Sequence, residues 1–457
     1  MNFTELKANI SLIVDEETQK FLEELTFPII DAAGLDSRNI KIYIVNDSSI
    51  NAFVTMGQNI FINTGLIMKY KTPDSLVGVI AHEVGHIASG HIARSSEAAQ
   101  KAEKTAIAGY VLGVVAMLAG SPEVAQSLLI GGTDFAQKSM LKYSRSQEEA
   151  ADKNALIYLN KIKYPSDGLV NLLEFFEQET RGFDGQINEY MLSHPISRKR
   201  IDYLKNNSVK GRFSSAEFNA NLQPQMTMVN AKLEGFIDDP YEVIQKYKNN
   251  NSSSAKYALA VAYYRNSQVK KSLKIIDDLI NSNEDNGFFY ELKAQILYES
   301  GKVIESIPVY KMAVDKIKGS YNSQSRIYLS QAILNVANND PELINFAIDN
   351  LLTAKRYEQN NPFLYRQLYF AYGKIGNKFS SYYSYANYNY LVGNIDEAHK
   401  YGQLAKKEIE NDKKISKSDK LKLEDLLQII KNDKRFKQKD NEDNGFKFNQ
   451  KRKEYIQ

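Results

Sequence analysis

The sequence predicts a mainly α-helical protein, an α+β domain with a small sheet followed by an α-solenoid. Three observations carry this expectation. Isoleucine occupies every second position of Ile40-Lys41-Ile42-Tyr43-Ile44-Val45, the alternation of a strand. An apolar stretch opening at Thr72-Pro73-Asp74 has the punctuation of a buried helix. From residue 255 onward, small and aromatic residues recur about every 34 positions.

Taken in order, residues 1–39 read as a helix and a loop, followed by the strand at 40–45. Ala52-Phe53-Val54-Thr55 and Asn59-Ile60-Phe61-Ile62 flank Met56-Gly57-Gln58 and read as a hairpin. In the next helix Thr72 suits the N-cap and Pro73 the first helical position, while Asp74 suits the positive end of the dipole. Residues 105–120 are apolar, end at a Gly-Ser-Pro turn and are followed by a second apolar segment. They fall short of the roughly 20 residues that cross a bilayer. The 105–137 hairpin therefore has two readings, a cover over the active site or a membrane-surface contact. No longer apolar run exists, which disfavours a membrane-embedded enzyme.

Beyond residue 255, Ala260 and Ala294 are 34 apart, as are Ser272 and Ser306. Ser306-Tyr310-Ala313 recurs as Ala347-Leu351-Ala354, and Gly301 and Gly393 mark turns. This is the period of tetratricopeptide helix hairpins, in about four degenerate units. The expected division is 1–206 for the first domain and 207–254 for a linker and leading helix pair. Repeats follow over 255–430, and 431–457 is a polar, disordered tail. Tyrosines at 382, 383, 385, 388 and 390 either pack between helices or line a peptide-binding surface.

A net charge of +3, all of it attributable to the tail, gives no reason to invoke nucleic acid. Cysteine is absent, so thiolate metal sites and disulfides are excluded. Met1 to Lys20 holds no apolar run behind a basic segment, so no signal peptide is visible.

Chemistry concentrates in His82-Glu83-Val84-Gly85-His86. Histidines four apart on a helix differ by about 40° in azimuth, so both rings leave one face. They offer two nitrogen ligands to one zinc ion, with Glu83 beside them as general base. A third ligand is required. His91 lies about 180° around the helix from His82 and is expected to be a partly exposed helix-end residue. The metzincin pattern needs glycine at 89 and histidine at 92, where this chain has Ser89 and Ile92.

A carboxylate from the helix opening at Ser144-Arg145 is the alternative. Glu148 would be the ligand, with Asp152 one turn later orienting an imidazole. A local account coexists with it, Ser146 and Glu149 forming a capping box. His194, before Pro195, reads as presented from a loop in extended geometry. It would steady an oxyanion, fill the metal's open position in a resting form, or be a plain surface residue.

His82-Glu83-Val84-Gly85-His86 with Ser144-Arg145, Glu148, Ala151 and Asp152 resembles the gluzincin metallopeptidases that include HtpX and the CAAX prenyl proteases. Asn51-Ala52-Phe53 and His194-Pro195 resemble the periplasmic members that carry tetratricopeptide repeats. The resemblance implies one Zn²⁺ on His82, His86 and Glu148, Glu83 as base, Asp152 behind the ligands, and a catalytic His194. It further implies peptide-bond hydrolysis on protein substrates, partners in outer-membrane protein assembly, and a periplasmic location.

Overall fold

The computed structural model describes residues 11–55, 57–70, 72–91, 143–182, 189–208, 213–412 and 415–433. The expected 105–137 hairpin and most of the expected polar tail lie outside the described residues. Two compact units divide after Asn266. The expected first domain, 1–206, is thus shorter than the first compact unit.

The first unit opens with β1 (Leu12–Ile13) and α1 (Glu16–Ala32). The sheet continues with β2 (Lys41–Val45), β3 (Ala52–Thr55) and β4 (Asn59–Asn63). Its order is β1-β2-β4-β3, with β2 and β4 parallel and β3 and β4 antiparallel. The hairpin was legible, because a short turn joins two apolar segments. The parallel pairing was not, because it depends on β3 stepping to the outside. β4 is thus interior, and β3 is the edge strand at its end of the sheet.

After α2 (Thr64–Lys69), the apolar helix α3 (Pro73–Ala88) packs against α1, β3, α4 (Arg145–Lys161) and α5 (Asp167–Gly182). Residues Pro73 to Ile87 of α3 are all buried, which accounts for its apolarity on every side. Two glycines permit this depth. A Cβ on Gly78 would stand 2.6 Å from the Leu169 backbone nitrogen, and one on Gly85 2.7 Å from the Ala151 carbonyl oxygen.

Gly85 therefore sets how closely α3 approaches α4. Helix propensity alone would make Gly85→Ala stabilising by about 1 kcal/mol. Here the added methyl meets backbone, so the expected result is a loss of about 1–3 kcal/mol in a thermal melt. The shift should also move Glu148 and Asp152, which flank Ala151 on α4.

The short α6 (Glu189–Ser193) and α7 (Arg198–Asn207) follow, then α8 (Ser215–Ile237), α9 (Pro240–Tyr247) and α10 (Ser253–Arg265). α8 packs on α1, α2 and α3, and α10 packs on α8. Asn219 of α8 clasps the start of α3, accepting from the Asp74 amide at 2.9 Å and donating to the Asp74 carboxylate at 2.9 Å. Thr72 is the N-cap of α3 without a capping bond of its own. Lys232 of α8 pairs with Asp15 and, at 3.3 Å, with Glu17, to which Tyr257 of α10 donates at 2.7 Å. Residues 215–265 are thereby knitted into the first unit.

The second unit is a run of helix hairpins: α11 (Val269–Ser282), α12 (Gly287–Glu299), α13 (Val303–Lys316), α14 (Ser323–Val336) and α15 (Pro341–Lys355). It continues with α16 (Pro362–Lys374), α17 (Lys378–Leu391), α18 (Ile395–Asn411) and α19 (Lys417–Asn432). The recurring small residues sit at the helix crossings, Ser306, Ala313, Ala347, Ala354, Ala398 and Ala405 all being buried. Chain reversals use left-handed residues at Gly301, Gly376 and Gly393. The α17 tyrosines pack between neighbouring helices, Tyr385 lying 4.4 Å from Tyr369 and 4.5 Å from Tyr401 between ring centres.

Candidate metal centre

His82 and His86 leave one face of α3, and across from them α4 presents Glu148 and Asp152. The N-cap of α4 is Ser144, which forms a capping box with Gln147. This corrects the expected Ser146–Glu149 pair: the helix starts two residues earlier. Glu149 instead turns outward to Lys199 at 2.8 Å. His194 directly follows α6, its amide donating to the Tyr190 carbonyl at 2.8 Å, and its side chain is fully buried. It is not a surface histidine.

The structure brings His82, His86, Glu148 and His194 together, with one donor atom from each within 4.8 Å of the others. His82 Nε2 lies 3.1 Å from His86 Nε2 and 3.4 Å from Glu148 Oε2. Glu148 Oε1 lies 3.2 Å from His86 Nε2 and 3.1 Å from His194 Nδ1. His194 Nδ1 is 3.3 Å from His82 Nε2.

A tetrahedral zinc ion with bonds of about 2.0–2.1 Å spaces its ligands about 3.3–3.4 Å apart. The donor set therefore fits zinc in composition and spacing. A further observation agrees. Both Glu83 oxygens are buried without a hydrogen-bond donor among the described residues, the His194 Nε2 atom standing 3.4 Å away. A buried carboxylate without donors is costly unless water or a cation completes its surroundings.

Supporting residues orient the ligands. Asp152 Oδ1 lies 2.9 Å from His82 Nδ1, leaving Nε2 as the lone-pair atom facing the centre. Arg200 of α7, which the sequence reading did not single out, is buried. It grips Asp152 through Nε at 2.7 Å and Nη2 at 2.9 Å, and reaches Glu148 Oε2 through Nη1 at 2.6 Å. Its signal was available in hindsight, since Arg200 shares a helix face with the buried Ile201 and Leu204.

His91 is also corrected. α3 ends at Ala88, Gly90 takes a left-handed conformation, and the chain carries His91 back to bury it with Nδ1 3.0 Å from His86 Nδ1. Tyr143 stacks on the His86 ring at 3.9 Å.

Electrostatics favour a cation. Burial pulls His82 down, yet Glu148 and Asp152 overcome it and hold the imidazolium up to about 10. A site that stabilises a proton so strongly attracts positive charge generally. Burial keeps His86 well below its ordinary value, so its ring is neutral with a lone pair to offer. Burial also raises the Glu83 carboxyl, against the opposing pull of His194 and His82. Asp152 would be raised by burial as well, but Arg200 and His82 hold it low.

A small sheet beside a helix that bears two histidines and the glutamate between them, faced by a second helix that supplies a carboxylate, defines a gluzincin-type metallopeptidase domain. Residues 16–208 match the sequence model of Peptidase family M48, so this part of the chain is an M48 domain. The chain is similar to the beta-barrel assembly-enhancing protease of Yersinia pestis, 23% identical over 64% of this chain and 60% of that protein. It is similar to the protein of the same name in Escherichia coli K12, 22% identical over 68% of this chain and 64% of that one. The mitochondrial metalloendopeptidase OMA1 of Schizosaccharomyces pombe is 27% identical over 40% of this chain and 51% of its own length. The chain thus spans 60% and 64% of the length of the two beta-barrel assembly-enhancing proteases.

Proposed function

We propose that the chain is a zinc-dependent endopeptidase of the bacterial envelope that cleaves misfolded or misassembled proteins, its helix hairpins docking clients or partners of outer-membrane assembly. The observation that carries this reading is the convergence of His82, His86 and Glu148 beside the Glu83 carboxylate, whose oxygens have no hydrogen-bond donor among the described residues. The resemblance and the names of the similar proteins support the periplasm and the outer-membrane context. Among the described residues no helix is long and apolar enough to cross a membrane.

His82, His86 and Glu148 would hold the ion. When bound, zinc lowers the pKa of a water molecule and polarises a carbonyl. Glu83 accepts the proton of the attacking water and returns it to the leaving amine. His194 Nε2, on the Glu83 side of its ring, is positioned to steady the developing oxyanion.

Substrate pairing needs a free sheet edge. β4, with Ile60–Ile62, is paired on both sides and offers no such edge. The outer side of β3, which packs on α3, has no partner strand among the described residues and takes that role.

One observation favours a second reading, a chaperone or scaffold with proteolysis held latent. His194 Nδ1 stands inside the donor set, where a fourth ligand would exclude water. Casein digestion with and without a zinc chelator separates the two. Chelator-sensitive cleavage is the expected result. Its absence, together with suppressed aggregation of an unfolded client, would favour the chaperone.

A further inference from the structure

A cavity of about 590 Å³ opens between α13, α14 and α15 of the second unit, and Arg326 stands in its wall. The guanidinium is held in place rather than free to sweep. Nε donates to Asn322 Oδ1 at 3.0 Å and Nη1 to Asn350 Oδ1 at 2.9 Å. Both asparagines are buried, and each is fixed in turn: Asn322 donates to the Val314 and Ile317 carbonyls, Asn350 to that of Phe346. The partners of Arg326 are therefore neutral amides. Asp315 and Asp349 line the same cavity, yet among the described residues neither acts on the guanidinium as an ion-pair partner.

Two physical features make this arrangement unfavourable as pure scaffolding. A partly buried guanidinium without a carboxylate is poorly compensated, and burial pulls Arg326 below its ordinary range with only Tyr357 opposing. Arg326 also lies at the end of the first turn of α14, the positive pole of the helix, and that turn holds no acidic residue. Lys311 and Lys318 add two more cations to the wall, the first lying over the Phe346 ring at 5.1 Å. Phe346 is 41% exposed and offers an apolar surface beside them.

We propose that this cavity receives a side-chain carboxylate of an unfolded, acidic client segment, bound by the Nη2 edge of Arg326 with Phe346 taking a neighbouring apolar side chain. An amide-anchored guanidinium is preorganised for such a fork, so little freedom is lost when the carboxylate arrives. The proposal deepens the client-docking part of the proposed function. It needs neither the metal nor peptide-bond cleavage, so the two stand or fall separately.

The test is fluorescence anisotropy on the full chain carrying Glu83→Gln, with short labelled peptides identical except for Asp, Asn or Lys at two positions. The Asp peptide should bind about tenfold more tightly than the Asn peptide, the worth of one charge-assisted fork, and the Lys peptide more weakly still. Arg326→Gln should erase the difference, and Arg326→Lys should restore only part of it. Should Arg326→Gln melt early, Lys311→Ala with Lys318→Ala, both away from the asparagine network, should still weaken the Asp peptide selectively. Equal binding of Asp and Asn peptides, or a preference that survives Arg326→Gln, would overturn the proposal. So would complete displacement by inorganic phosphate, which would mark a plain anion site.

Discussion

Glu83→Gln should leave zinc bound and cut peptide hydrolysis by at least about 10²–10⁴-fold, the usual worth of a general base. The glutamine amide is nearly isosteric with the carboxylate but cannot accept the water's proton. The buried carboxylate oxygens of Glu83 make no structural hydrogen bond among the described residues, so the fold loses little by the exchange. Metal analysis and a peptide-cleavage rate on the same sample check both halves. Cleavage retained at the wild-type rate would remove Glu83 from the chemistry. Glu148→Ala should behave in the opposite order, releasing zinc first and losing activity as a consequence. Unchanged metal content there would exclude Glu148 as a ligand.

Arg200→Met should destabilise the protein by about 3–5 kcal/mol, the cost of leaving buried carboxylates without their cation. Asp152 loses both of its bonds to the guanidinium, and Glu148 loses a contact of 2.6 Å. Under the proposed function a zinc ion would compensate Glu148, so the loss should be larger in chelator-treated protein than in zinc-loaded protein. Thermal melts under the two conditions measure the difference. Asp152 also fixes the His82 ring, so zinc affinity should fall by about 10–100-fold. Arg200→Lys should rescue little, because an ammonium cannot make the two-pronged contact. A lysine variant with wild-type stability and zinc affinity would reduce Arg200 to a generic charge.

What could be read from the sequence was what depends on local geometry. The pairing of His82 with His86 follows from helical pitch, and Glu148 with Asp152 from the same spacing on a second helix. The helix hairpins were legible because small residues recur where helices cross. Arg200, His91 and Tyr143 reach the site only through tertiary folding. Arg200 was hidden in a run with Arg198 and Lys199 that reads as a solvated face. His91 was misplaced because the azimuth argument assumed an unbroken helix, whereas α3 stops at Ala88 and the chain reverses at Gly90. The sheet erred in the same way: β1 lay unseen in a stretch read as helix and loop, and which strand is outermost depends on a connection that no local pattern encodes.

The clasp between Asn219 and Asp74 bears on where this molecule can be divided. The match to the Peptidase family M48 model ends at residue 208, yet the amide that secures the opening turn of the histidine-bearing helix arrives eleven positions later. Excising the family segment alone would therefore strip an essential brace and lay bare the apolar flank on which Met226 and Val229 rest. The helix that carries the histidines is therefore secured from outside the segment that bears the family's pattern.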